Sequence, residues 1–144
     1  MAVTSKDYNT FDGSPTSWSA ALDNITSGAN EENEKRFFIV NAGNVYPDEL
    51  SEITFPTANE LHCVESPGQA WNAITVGVYS DDINVTDEVF SGYSPVAKAG
   101  DISPYSSTSE LWNSKWPVKT DVYLMVEIWL QMGMIILNAL IYLF

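Results

Sequence analysis

The sequence predicts an α/β fold built on a parallel sheet, and three segments carry the prediction. Trp18, Ala21, Leu22 and Ile25 recur at i, i+3, i+4 and i+7, the stripe of an amphipathic helix. Phe37-Phe38-Ile39-Val40 is a short apolar run rich in β-formers. Ala73 to Val78 is a second such run. Helix followed by strand points to an α/β arrangement. A continuous apolar run, unlike an alternating one, fits a strand covered on both faces, the habit of parallel sheets.

In chain order, Ser14-Pro15 predicts the helix start, with Ser14 as N-cap and Pro15 in the first turn. Gly28 is the expected stop. ANEENEKR, 29–36, is a polar connection. The first strand ends at a turn, Ala42-Gly43-Asn44. Val45 to Glu65 carries Pro47 and Pro56 and reads as surface loop with room for one helical turn. Ser66-Pro67 opens a short helical turn through Trp71, ahead of the second strand. Asp81 to Gly100 reads as polar loop, and Asp101 to Lys119, with Pro104 and Pro117, as irregular backbone.

With 19 acidic and 6 basic residues the net charge is −13, which repels phosphate backbones and argues against nucleic acid as a partner. The acids are scattered and form no calcium-loop pattern, so a solubilising surface is the expected role. The single cysteine, Cys63, permits no intrachain disulfide and no cysteine zinc cage. His62 precedes it, but neighbours in extended chain face opposite ways, which disfavours a nucleophile–base pair. MAVTSKDYNTFDGSP lacks the basic start and apolar core of a secretory signal, and cellular location stays unassigned.

The tail from Leu124 to Phe144 differs from all that precedes it. Its only charge is Glu127. Ile128 to Phe144 is uncharged and close to the shortest length that crosses a bilayer, with Trp129 and Tyr142 as interfacial candidates. Membrane contact is expected only if this tail is genuine. The sequence therefore divides into 1–123 and an apolar tail, 124–144.

Several segments, in order, resemble the subtilisin-like serine peptidases, the subtilases. They are AVTS with SPTSWSAALD (2–5 and 14–23), RFFIVNAGNVYP (36–47), ESPGQAWNAITVGVYSDD (65–82), and VAKAGDISPYSSTS with WPVKTDVY toward residue 123. Val78 stands where alanine is usual, and Thr120 where the K-P-D-V pattern has proline. The resemblance implies a central piece of a three-layer α/β/α catalytic domain, with an incomplete parallel sheet. The implied chemistry is hydrolysis of peptide bonds in a polypeptide substrate.

By itself Asn44 fits either of two roles, a residue that tolerates a left-handed turn or a hydrogen-bond donor. The resemblance implies the donor: at this turn subtilases place the Asn amide that binds the oxyanion of the tetrahedral intermediate. The resemblance begins at Met1, beyond the places of the family's catalytic Asp and His. His62 follows the Asn turn, so it cannot be that His. No G-T-S-x-[AS] nucleophile motif occurs. The expectation is a chain inactive on its own. Calcium supports many family members, but no ligand set is identifiable in the sequence.

In the family, K-P-D-V is soon followed by G-G-N. Codons compatible with Leu124 to Trp129 permit N-G-G-N-M-A in an offset frame, which predicts a frameshift near Tyr123. Two alternatives from other classes stand beside this expectation. One is a non-enzymatic acidic module anchored by a C-terminal transmembrane helix. The other is a pseudo-protease that binds peptides without turnover.

Overall fold

A computed structural model describes residues 11–29, 34–82, 84, 88 and 94–126. The first matched segment, 2–5, and the tail from 127 onward lie outside the described residues, so the membrane and frameshift expectations for 127–144 do too. Among the described residues no helix is long and apolar enough to cross a membrane.

Helix α1 spans Ser17–Ser27. Its N-cap is Thr16, not the predicted Ser14. Thr16 Oγ1 accepts from Ser19 N–H at 3.1 Å, and Ser19 Oγ accepts from Thr16 N–H at 2.9 Å, which closes a capping box. Ser14 sits two residues earlier, its N–H donating to Asp12 Oδ1 at 3.0 Å. Gly28 ends the helix as predicted, in the left-handed region at φ 73°.

The inward face of α1 is rotated from the predicted stripe. Ser19 and Leu22 are buried, whereas Trp18 and Ala21 are exposed. Local polar ties explain the rotation. The Thr16 hydroxyl meets the Ser66 hydroxyl at 2.7 Å, and Asp23 accepts from the N–H groups of Trp71 and Asn72. These ties turn the small polar edge of the helix inward. Leu22 then packs with Ala70 and Ala73, with Phe38 and Val40 against them.

Strand β1 is Ile39–Asn41, β2 is Ile74–Ser80, and β3 is Val122–Val126. They form one parallel sheet in the order β1-β2-β3, as the apolar runs predict for the first two. Register pairs Val40 with Thr75 and Gly77 with Tyr123. β3 has no counterpart in the sequence prediction and runs across the 123/124 boundary. Main-chain groups pair strands whatever the side chains, so VYLMV adds to β2 through its backbone.

Val45 to Glu65, predicted to be surface loop, contains two short helices, α2 (Pro47–Glu52) and α3 (Thr57–Leu61). The second part of this segment leads into the interior. Cys63 to Ala70 is buried without a break. The predicted helical turn after Ser66 is instead a buried non-helical turn, with Gly68 N–H donating to the Glu65 carbonyl. Asn59 explains why polar chain can be buried here. Its Nδ2 donates to the carbonyls of Ser103 and Ser106, each at 2.8 Å, satisfying groups that irregular backbone leaves open.

Candidate functional site

The turn after β1 stands at the carboxyl edge of the sheet, where open α/β sheets place their sites. Three main-chain hydrogen bonds fix it. Ala42 N–H donates to Val76 on β2 at 2.9 Å, Glu65 N–H donates to the Ala42 carbonyl at 2.8 Å, and Val45 N–H donates to Tyr105 at 2.9 Å. Asn44 itself forms a backbone bridge with Ser106. Ala42 and Val45 are each 1 % exposed, so the turn is clamped on both sides.

Asn44, between these buried anchors, is exposed. Its side-chain amide has no hydrogen-bond partner among the described residues. A rigid turn carrying an unengaged N–H donor at a sheet edge can stabilise negative charge that develops beside it.

Gly43 makes this turn conformationally demanding. Its φ is 115°, a region L side chains rarely adopt. A Cβ there would lie 2.7 Å from Glu65 Cγ and 2.9 Å from Ser107 Oγ. Glycine thus lets a carboxylate side chain and a hydroxyl lie directly against the turn. The sequence prediction missed these buttressing residues. Glu65 stood at a loop boundary, and Tyr105 to Ser107 lay in a stretch without periodicity, which only the tertiary fold turns inward.

His62 and Cys63 are not brought together. His62 Nδ1 faces the Ala58 carbonyl at 2.7 Å and its Nε2 lies 3.1 Å from Glu49 Oε2. Cys63 Sγ donates to the Phe11 carbonyl at 3.4 Å. Burial raises the Cys63 thiol pKa above its ordinary value, the opposite of what a thiolate nucleophile requires. Among the described residues no group of three or more His, Cys, Asp or Glu could hold a metal ion.

A sequence model described as the Subtilase family matches residues 1–128. No curated protein and no solved structure matches the chain.

Proposed function

The chain belongs to the subtilase family of serine peptidases, and from that premise we propose that Asn44 is the oxyanion donor of a subtilisin-like serine endopeptidase acting on polypeptides. The observation that supports this role is the exposed amide on a clamped turn at the carboxyl edge of β1. Attack on a peptide carbonyl moves charge onto its oxygen. A donor whose backbone is already fixed need not reorganise as that charge appears, so it lowers the barrier more than the ground state.

Within residues 1–144 no nucleophile motif occurs and His62 is engaged elsewhere. We therefore propose that this chain does not hydrolyse peptides unaided. A fluorogenic peptide assay on the purified chain should give no turnover above buffer, and measurable Ser-dependent hydrolysis would refute that statement. The donor role is tested in the product of a reading frame that joins this segment to an upstream Asp and His and a downstream Ser. There, Asn44→Ala should lower kcat by about 10²–10³ with KM little changed, a magnitude known from subtilisin, itself a member of the family. A loss confined to KM would assign Asn44 to ground-state binding instead.

A further inference from the structure

Asn59, on the short helix α3, is 1 % exposed. Its Nδ2 donates to the carbonyls of Ser103 and Ser106, 44 and 47 residues further on, so both amide protons are engaged. Its Oδ1 is buried and has no hydrogen-bond partner among the described residues. A side chain buried for packing alone gains nothing from an unmet oxygen. The position therefore keeps an amide for its two donors. They grip a turn in which Ser106 N–H already donates to the Ser103 carbonyl at 2.9 Å. Thr108 adds to the grip: its Oγ1 donates to the Asn59 carbonyl at 2.9 Å, and its N–H to the His62 carbonyl at 2.9 Å.

The gripped turn is the support of the donor. Ser106 is the bridge partner of Asn44, and the Tyr105 carbonyl accepts Val45 N–H at 2.9 Å. The same turn is tied to β2, where Val78 N–H donates to Ser106 Oγ at 3.3 Å and the Val78 carbonyl accepts Ser103 N–H at 3.0 Å. We propose that Asn59 is a positioning residue for peptide hydrolysis: it fixes the backbone of Asn44 through Ser106 and touches no substrate itself. The proposal rests on the oxyanion role of Asn44 given above. An oxyanion donor works because its dipole is already in place when charge develops, so whatever holds its backbone acts on the barrier and not on substrate affinity.

The first test needs no variant. Hydrogen exchange followed by NMR on the 144-residue chain compares the side-chain amide protons of Asn59 with the Val45 N–H. One opening of the turn exposes both, so their protection factors should agree within about tenfold. Unprotected Asn59 protons beside a protected Val45 N–H would show that the turn holds without Asn59, and the proposal is lost. If Val45 is unprotected as well, the turn is not clamped, and the reading of Asn44 falls with it.

The second test is a double-mutant cycle in the joined-frame product described above. Asn59→Leu keeps nearly the same volume and removes both donors. It should lower kcat about tenfold with KM little changed, less than the loss of the donor itself. In the Asn44→Ala background it should lower kcat no further, because the group it positions is gone. Losses that multiply, or an unchanged kcat in Asn59→Leu, overturn the role of Asn59 and leave that of Asn44 standing. An unchanged kcat in Asn44→Ala removes the oxyanion reading and this proposal together. Should Asn59→Leu fail to fold, the exchange measurement on the unmodified chain decides.

Discussion

Single residues at the turn show how much a side chain's environment, and not its type, decides its chemistry. Cys63 and His62 are neighbours in sequence, but each is satisfied by a different partner, and burial holds the thiol protonated. Its raised pKa leaves less thiolate at pH 8 than an unfolded thiol would have. Iodoacetamide labelling of the native chain should therefore be slower than in urea, and equal rates would show that Cys63 is accessible and unperturbed. The sign for stability follows from the same shift. The unfolded thiol ionises first as pH rises, so the contribution of Cys63 is whole below the unfolded pKa and is lost as pH climbs through the folded one. Gly43 is the other residue whose environment dictates its identity. Gly43→Ala combines a φ of 115° with contacts under 3 Å to Glu65 and Ser107. It should cost about 1–3 kcal/mol in urea-induced unfolding.

Among the elements, α1 and the 101–109 segment are held in place mainly by polar contacts. The capping box at Thr16 and the Asp23 contacts fix the rotation of α1, and Asn59 fixes the loop that bridges to Asn44. Asn59→Ala removes two buried donors and leaves the Ser103 and Ser106 carbonyls without them. The expected loss is about 1–3 kcal/mol in chemical denaturation, together with weaker binding at the turn, because Ser106 is the backbone partner of Asn44. An unchanged unfolding midpoint would mean that the loop is held by other contacts. The β2–β3 pair depends on a close approach. Tyr123 packs over Gly77, where a Cβ would meet its ring at 2.8 Å. The junction before β3 is tied by Lys119, whose Nζ reaches the Ala73 carbonyl at 3.0 Å and Asp121 at 2.6 Å.

Taken whole, the described chain covers one face of its sheet better than the other. Phe38 and Val40 pack under α1, while Phe37 and Ile39 on the opposite face are 69 % and 56 % exposed. Val122, Tyr123, Leu124 and Met125 along β3 are also well exposed. Exposed apolar side chains in this number bind hydrophobic dyes and promote association. The isolated chain should therefore enhance ANS fluorescence and unfold in a broad transition, whereas a sharp cooperative melt with no dye binding would contradict this expectation. The frame of the tail is a separate matter for DNA: sequencing codons 123–129 tests whether the offset frame reads G-G-N. The sequence by itself determined the α/β class, the Gly28 stop, the first two strands and the family, because each depends on local pattern or on an ordered set of short motifs. The A-G-N turn was legible for the same reason. Only the tertiary structure decided the rotation of α1, the strand at Val122–Val126 and the burial of Glu65 and Ser107 against Gly43. Those outcomes are set by contacts between residues far apart in the chain, and no local periodicity encodes them.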